Sequence, residues 1–415
     1  MKFTTLSIAI NSLKRNTART VLTILGIVIG IMAVITVMSA GEGLKEYVTA
    51  QIKTFGTDGI NLEIKVPSTA HVSAENAAGQ AQGIQITTLK VSDGEALMKL
   101  PNIKGYYASQ LGQQVASYQG TNRQVMLWGT TGSFINIDAT GVAEGRFFTA
   151  EEDRSLVAVA VIGPTVKEKL FNGDDPINKL IKIGKEKFRV IGVMNKRGAM
   201  LFFDMDNFIY VPVQTLQKKI MGIDHVQQIF IQVHDNNLTE ETVSDIEELI
   251  RERHDITDPK RDDFAVMSMA QAMEIYDTVF GAINLLLLAI AGISLVVGGV
   301  GIMNIMYVSV SERTYEIGLR KAVGGRYRNI LWQFLWEAIL MTLFGALIGF
   351  ILGVGLSYLI SGIATAQGMG WTFVISGNSI ILAGSVSFVI GIVFGVFPAM
   401  AAARLDPVTA LRSQQ

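Results

Sequence analysis

Uncharged, apolar stretches alternate with polar stretches along this chain. Residues 20–41 and 278–311 carry no charged side chain, and residues 338–403 form a third uncharged stretch. Because about 20 apolar residues are enough for a helix to cross the hydrocarbon core of a membrane, the first two stretches predict one span each. The third is long enough for two spans, with a break at residues 361–378. The pattern therefore predicts a membrane protein with four transmembrane α-helices.

The first two predicted spans are longer than a membrane requires. Apolar residues keep a helical period from residue 44 to residue 55, before the turn signal at residues 56–59. Residues 278–311 would extend about 51 Å as a helix, at about 1.5 Å per residue. The hydrocarbon core is only about 30 Å thick. We expect both helices to project from the membrane as stalks.

Between these two stalks the chain has the composition of a soluble domain, with mixed charges and short apolar runs separated by glycine and proline. The pattern predicts strands at residues 115–118 and 124–128 around Gly120, and a hairpin around Gly184. Helical patterns lie between the strands. We therefore predict a large α+β domain, inserted between the first and second spans.

Three helical signals stand out in the insert. Pro164 suits the first turn of a helix that runs to Phe171. Ser92 and Glu95 have the spacing of a capping box. An amphipathic helix is predicted over residues 240–253, with these residues facing inward: Val243, Ile246 and Leu249.

Basic residues in short loops mark the cytoplasmic side of a membrane protein. They are concentrated in three segments: Lys2, Lys14, Arg15 and Arg19; Arg313, Arg320, Lys321, Arg326 and Arg328; Arg404 and Arg412. Residues 361–378, the predicted outer loop, contain no lysine or arginine. We therefore expect both termini and residues 311–328 to be cytoplasmic and the inserted domain to be extracytoplasmic.

The polar segment of residues 311–328, between the second and third spans, fits a short amphipathic helix. Its charges Glu312, Glu316 and Arg320 are spaced by four residues, and Gly324 with Gly325 would end the helix. An apolar stripe is predicted at Thr314, Ile317, Ala322 and Val323. Such a helix is more than a topology signal, and we interpret it as a docking helix.

Glu337 lies a few residues into the third apolar stretch. An ionisable residue inside a membrane is a functional candidate by default. The alternative is an interfacial helix over residues 326–337, which would leave Glu337 among the lipid headgroups. The sequence favours this second interpretation.

Two rows of glycines in the second and third spans would permit close helix packing: Gly292, Gly298, Gly299 and Gly301, and Gly345, Gly349, Gly353 and Gly355. Packing within the chain is favoured over a seam between two copies.

Composition and motifs exclude several functions. Hydrophobic residues make up 49% of the chain, and the net charge of -1 gives no basic patch for nucleic acid. No Gly-x-x-x-x-Gly-Lys-Ser/Thr loop is present, so no ATP site is expected on this chain. Cysteine is absent, and the four histidines lack the spacing of metal ligands: His71, His225, His234 and His254. We predict no catalytic residue, no cofactor and no metal site.

Four stretches of this chain carry signatures of a known family. They are residues 16–30; the signatures at residues 145–148, 161–163, 170–171, 175–177 and 188–193; residues 311–324 with 333–338; and residues 394–399 with 405–412. Together these stretches resemble the MacB-like, FtsX-like permeases of ABC transporters. The resemblance covers essentially the whole chain. The full macrolide exporter has an N-terminal ATPase on the same chain, and this sequence is similar to the version whose ATPase is a separate subunit.

The resemblance implies a multi-pass permease of the bacterial cytoplasmic (inner) membrane, surrounded by membrane lipid, with both termini in the cytoplasm. ATP and Mg²⁺ would bind the separate ABC ATPase subunit. The permease would form a homodimer, or a heterodimer with a paralogue, with or without a membrane-fusion adaptor protein. The residues expected to couple it to the ATPase are Glu312, Arg313, Glu316, Ile317, Gly318, Arg320, Lys321, Val323 and Gly324.

The expected division of the chain follows from the pattern and the resemblance together. It comprises a cytoplasmic segment, 1–19; the first span and stalk, 20–56; a MacB-like periplasmic domain, 57–267; a stalk and second span, 268–310; the coupling helix and loop, 311–328; an FtsX-like region with the last two spans, 329–403; and a cytoplasmic tail, 404–415.

Different functions stay open within the family. The first is efflux of a drug, peptide or lipid-linked substrate, driven by movements of the outer domain that the long helices transmit (mechanotransmission). The second is an FtsX-like transducer that regulates a cell-wall hydrolase, and a lipoprotein-releasing permease is a further alternative. The large outer domain with its set of MacB-like signatures favours export.

Overall fold

The computed structural model describes residues 17–55, 59–70, 76, 83–200, 203–366 and 371–412. The predicted cytoplasmic segment before residue 17 and the end of the tail lie outside these residues. The chain divides into two compact units. One, the helical unit, comprises residues 1–47, 278–367 and 371–415, and the other, the inserted domain, is formed mainly by residues 48–277.

The helices, in chain order, are α1, Thr17–Phe55; α2, Val91–Leu97; α3, Phe134–Ile137; α4, Ala150–Arg154; α5, Pro164–Phe171; α6, Val213–Thr215, continued as a π-helix over Leu216–Met221; α7, Thr239–Arg253; α8, Met269–Glu312; α9, Thr314–Ala322; α10, Tyr327–Ala366; α11, Gly377–Arg404; and α12, Pro407–Arg412. Single 3₁₀ turns occupy Met205–Asn207, Asn236–Leu238 and Pro259–Arg261.

The strands are β1, Gly59–Ile64; β2, Ile103–Tyr118; β3, Thr121–Thr130; β4, Val142–Gly145; β5, Val159–Ile162; β6, Leu180–Ile183; β7, Glu186–Met194; β8, Ala199–Met200; β9, Phe203–Asp204; β10, Phe208–Pro212; β11, Gln228–Val233; and β12, Phe264–Ser268.

Four helices of the described chain are long and apolar enough to cross a membrane: α1, α8, α10 and α11. Their count and order confirm the predicted spans. α8 has 44 residues, which corresponds to about 66 Å at about 1.5 Å per residue. This length confirms that the second long helix exceeds the thickness of a bilayer.

Glycines allow the long helices to approach closely, as predicted for packing within the chain. A Cβ atom on Gly26 of α1 would lie 2.9 Å from the Cα atom of Gly298 in α8. A Cβ atom on Gly349 of α10 would lie 2.7 Å from the carbonyl oxygen of Val28 in α1. Gly292 and Gly355 differ, because a Cβ atom on either meets no atom within 4 Å. Only part of each predicted glycine row therefore lies at a helix contact within the described chain.

The helix expected over residues 326–337 is not a separate element. α10 begins at Tyr327 and continues unbroken through Glu337, so residues 326–337 do not form a separate interfacial helix. No glycine or proline occurs between residues 327 and 344 that could interrupt it. α11 contains Pro398 and continues to Arg404, close to the expected end of the last span at residue 403. A proline lacks an N–H donor and its ring crowds the carbonyl group one turn earlier, but packing by neighbouring helices makes it tolerable inside a membrane helix.

Part of the predicted outer loop packs onto α1. The Thr372 hydroxyl donates a hydrogen bond to the Glu46 carboxylate at 2.8 Å, and the Ser39 hydroxyl donates one to the Val374 carbonyl. The connection between α10 and α11 is thus fixed to the first long helix by polar contacts.

The inserted domain is built on one mixed sheet, with strand order β12-β1-β11-β2-β3-β10-β5-β7-β4 and with β6 paired to β2 and β7. The β3–β10 and β5–β7 pairings are parallel and the others in this sheet are antiparallel. β2 and β3 form a hairpin whose two turn residues, Gln119 and Gly120, have φ of 44° and 89°. Positive φ at both positions is typical of a type I′ turn. Strands β2 and β3 are longer than predicted. The prediction of an α+β domain is confirmed.

Helices cover the sheet through apolar faces. α7 buries Val243, Ile246 and Ile250 in a core with Leu62 and Ile231 of the sheet. Leu249, predicted to face inward, is only partly buried, and Ile250 takes the inner position instead.

The capping box predicted at Ser92 and Glu95 is wrong. α2 begins two residues earlier, after the N-cap residue Lys90, whose N–H donates to the Asp93 carboxylate at 2.7 Å. A reciprocal box starts α8 instead. The Ser268 N–H donates to the Gln271 side chain, and the Gln271 N–H donates to the Ser268 hydroxyl.

Candidate coupling site

Helix α9 occupies most of the polar segment between α8 and α10, as predicted. Only Arg313 separates it from α8, and the Arg313 N–H still donates to carbonyls of α8, at Ser309 and Val310. At its other end Gly324 has φ +94°, a left-handed conformation that favours glycine. The Gly325 N–H donates to the Arg320 carbonyl at 2.8 Å. This confirms the predicted stop at the two glycines.

One face of α9 packs inside the helical unit. Ile317 is 3% exposed and belongs to the core that α8, α10 and α11 share. A Cβ atom on Gly318 would lie 2.7 Å from the Cβ atom of Ala410 in α12. The Lys321 ammonium donates to the Leu405 carbonyl at 2.6 Å, at the end of α11. The inner face of α9 is therefore held against the C-terminal helices.

Two arginines join the coupling segment to α10. Arg313 Nη1 donates to Glu337 Oε2 at 3.2 Å, and both side chains are mostly buried. Arg320 Nη1 donates to the Gln333 side-chain oxygen at 2.8 Å, while its Nη2 contacts Glu316 at 2.6 Å. Glu337 is thus paired with Arg313 inside the helical unit, and its position at the headgroups stays a prediction.

The opposite face of α9 is apolar and accessible. Its side chains follow one another at intervals of four residues, Tyr315, Leu319 and Val323, with Val323 80% exposed. Glu312 and Glu316 flank it and are also exposed. We name this surface the outer stripe. The spacing could have been read from the sequence, but we predicted an apolar stripe that included Ile317.

The structure therefore separates residues that the sequence grouped together. Ile317 and Val323 were expected to share one apolar contact with a partner, but they lie on opposite faces of α9. That expectation is wrong for Ile317, because the C-terminal helices cover it. Arg320 and Lys321 also contact the permease itself, whereas the exposed side chains are Glu312, Glu316 and Val323.

Within the described ranges, no three His, Cys, Asp or Glu side chains lie close enough together to hold a metal ion. Arg313, Arg320 and Lys321 are held by carboxylate, amide and carbonyl oxygens of the chain itself. The coupling segment thus offers an exposed apolar surface on one side, and its basic side chains are bound to the rest of the helical unit on the other.

A model of the FtsX-like permease C-terminal region matches residues 288–407, which include α9. The chain is 38% identical over 403 residues to the macrolide export ATP-binding/permease protein MacB of Bdellovibrio bacteriovorus, covering 97% of this chain and 60% of that protein. It is 37% identical over 413 residues to the protein of the same name from Wolinella succinogenes, covering 99% and 61%.

The chain thus spans about 60% of the length of the curated relatives that it matches. Among solved structures, the periplasmic region of MacB from Actinobacillus actinomycetemcomitans matches 55% of this chain and 95% of its own, with a TM-score of 0.46 and 20% identity. A model of the MacB-like periplasmic core domain matches residues 20–249, more than half of the 415 residues. This chain therefore belongs to the family of MacB-like permeases, with an FtsX-like C-terminal membrane region.

Proposed function

We propose that this chain is the permease subunit of a MacB-type ABC exporter in a bacterial cytoplasmic membrane. A separate ATPase subunit hydrolyses ATP and docks on the outer stripe of α9, which faces the cytoplasm. The energy drives movements of the inserted domain outside the membrane, and these export a drug, peptide or lipid-linked substrate. The matched relatives are named as ATP-binding/permease proteins, which supports coupling of this permease to ATP hydrolysis.

The proposal rests on the difference between the two faces of α9. Its outer stripe is accessible, and its inner side is fixed to α10, α11 and α12 by Arg320, Lys321 and Gly318. A partner that moves the outer stripe would therefore move these helices as well. A few side chains carry most of the energy of a protein interface, and Tyr315 with Val323 would supply apolar area in the outer stripe once a partner covers them.

A path toward the inserted domain starts at Arg313. α8 passes into α9 with one intervening residue, and α8 runs without a break from Met269 to Glu312. Its first turn is set by the reciprocal bonds between Ser268 and Gln271, directly after strand β12. A displacement of α9 along α8 would therefore reach the end of a strand of the inserted domain through one continuous helix.

The test compares two substitutions on α9. We expect Val323→Asp to leave the permease folded and to weaken its binding to the cognate ATPase at least tenfold, because a charge replaces an apolar anchor. We expect Ile317→Asp to destabilise the permease itself by about 3–5 kcal/mol, because it buries a charge without a partner. Co-purification with the ATPase and thermal unfolding of the permease alone measure the two effects.

Val115→Asp is the matched control, because Val115 is an exposed valine of strand β2, outside the helical unit. It should leave ATPase binding unchanged. Retention of the ATPase by the Val323→Asp variant would contradict the docking role. With both subunits in liposomes, ATP-dependent substrate movement supports export, whereas activation of a cell-wall hydrolase without transport would support the transducer function.

A further inference from the structure

A cleft of about 450 Å³ opens in the inserted domain between α2, the start of β2, the turn before α3 and helix α4. Its volume lies within the range of small-molecule sites, which is about 300–1,000 Å³. All of its lining residues belong to the inserted domain. The residues of the cleft are separate from α9 in the sequence.

Of the charged residues that line the cleft in the described structure, only Asp153 is buried. Its Oδ1 atom accepts a hydrogen bond from the Gln214 N–H at 2.9 Å. Glu95 and Arg154, 3.7 Å apart, are both more than half exposed, and Lys104 is exposed as well. The rim charges are therefore screened by water, whereas the buried charge of the cleft is negative.

Burial raises the pKa of the Asp153 carboxyl to about 6, although the hydrogen bonds with Gln214 and the charge of Arg154 oppose this shift. A carboxyl group in such a place reduces the stability of the fold at neutral pH, because its ionised form is poorly solvated. Perturbed ionisable groups in clefts are candidates for functional sites. A cationic ligand would compensate the charge of Asp153, whereas an anionic one would be repelled.

The walls of the cleft supply apolar surface around this charge. The Tyr106 ring packs over Gly94 of α2, where a Cβ atom would lie 2.2 Å from a ring carbon. This contact fixes the position of the ring. Met98, Val91 and Ile137 also line the cleft. Aromatic rings attract cations that lie over their faces, so Tyr106 suits a ligand that is both positively charged and apolar.

We propose that this cleft binds a small organic cation, a protonated amine on an apolar body, with Asp153 holding the amine and Tyr106, Met98 and Val91 contacting the body. Binding at the cleft goes beyond the proposed function, because it requires neither the ATPase nor transport. Binding at the cleft and the proposed function can therefore each be disproved without the other.

The test uses the full chain in lipid nanodiscs and a matched pair of probes, dansylcadaverine, which carries a primary amine, and its uncharged N-acetyl derivative. Dansyl fluorescence measures binding of each. We expect saturable binding of the amine with about tenfold or higher affinity than the acetylated probe. Asp153→Asn should reduce the affinity for the amine to that for the acetylated probe, while the acetylated probe should be unaffected.

Two further variants separate charge from volume. Glu151→Gln, at an exposed carboxylate of the same helix α4, should change neither affinity. Gly105→Leu should remove binding of both probes, because a Cβ atom there meets only Ile137 Cδ1, at 3.7 Å, and a larger side chain would fill the cleft. Thermal unfolding should show that the Asp153→Asn variant is folded, because asparagine removes the charge that burial disfavours.

Equal affinities of the two probes for the native chain would overturn the proposal. So would an Asp153→Asn variant that is folded and binds the amine as the native chain does. Binding that persists in the Gly105→Leu variant would show that the probes enter the lipid or another site, and would overturn it as well.

Discussion

Arg313 Nη1 donates a hydrogen bond to Glu337 Oε2 at 3.2 Å and joins the residue between α8 and α9 to the third long helix. The arginine side chain is 19% exposed and the glutamate 8%. Removing one partner from such a buried pair is far more harmful than removing both, because the remaining charge is left without compensation. The pair therefore holds the start of the coupling segment in place.

The first prediction tests this pair with a double-mutant cycle. We expect Glu337→Leu and Arg313→Met each to lower the unfolding free energy by about 3–5 kcal/mol, and the double variant to lose less than either single variant. Thermal unfolding of the purified permease measures the losses. Glu316→Ala is the control, because its exposed pair with Arg320 contributes only about 0.3–0.5 kcal/mol. Additive losses in the double variant would show that the two side chains are not coupled.

The second prediction concerns glycines of one helix, α10. Gly349→Ala should lower the unfolding free energy by about 1–3 kcal/mol, because the new Cβ atom would lie 2.7 Å from the Val28 carbonyl and 3.0 Å from Ile31 Cβ. Gly355→Ala should be neutral or slightly stabilising, because nothing lies within 4 Å and alanine favours a helix. Thermal unfolding of both variants distinguishes them. Equal losses would mean that α1 and α10 do not pack in this register.

The third prediction concerns the pH dependence of the inserted domain. His254 Nδ1 lies 2.9 Å from Asp263 Oδ1, and its Nε2 lies 3.6 Å from Asp93 Oδ2. Burial lowers the pKa of His254, but these two carboxylates outweigh it and raise the pKa to about 9. The folded state therefore holds this proton more tightly than the unfolded state, whose histidine titrates at about 6.5.

The stabilisation from His254 is fully present below pH of about 6.5 and is lost as the pH rises through about 9. Its upper limit is about 3 kcal/mol. We expect the His254→Gln variant to be less stable than the native chain at pH 6, with the difference shrinking toward pH 10. Hydrogen exchange of the backbone amides of α2 and β12 measures this difference in stability in the full chain. His234→Gln, at an exposed histidine, is the control, and a difference that grows with pH would contradict the prediction.

The fourth prediction tests the orientation in the membrane. The sequence contains no cysteine, so a single introduced cysteine can be labelled without background. An impermeant maleimide applied to intact spheroplasts should label Ser244→Cys, which is exposed on α7, and should not label Ser311→Cys, which is exposed near the end of α8. Labelling of both after permeabilisation is the control. The reverse pattern in intact spheroplasts would invert the proposed topology.

Many local features were predictable because short-range physics decides them. Charged side chains are too costly in hydrocarbon, so the uncharged stretches marked the four long helices. Gly324 ended α9 where predicted, because a left-handed residue at that position favours glycine. The hairpin at Gly120 and the helix start at Pro164 likewise depend on residues beside them in the chain.

The side of each helix that becomes buried was decided only by tertiary structure. Ile317 and Val323 both fit apolar stripes of α9, and the period alone does not say which stripe is covered. Ile317 packs in a core with residues of α10 and α11, among them Ala402 and Ala403, about 85 positions later in the sequence. The partner of Glu337 was equally hidden, because Arg313 meets it only once α8 and α10 pack together.

Asp153 shows the same limit in the inserted domain. In the sequence it is one of three consecutive acidic residues, Glu151, Glu152 and Asp153, and nothing local distinguishes it. The fold places Asp153 beneath the backbone of Gln214, 61 residues away, and leaves Glu151 in water. The sequence by itself therefore determined the spans, the turns and the membrane class, because neighbouring residues fix them. Burial, ion pairing and the shape of the cleft depend on distant residues, and only the packed structure decided them.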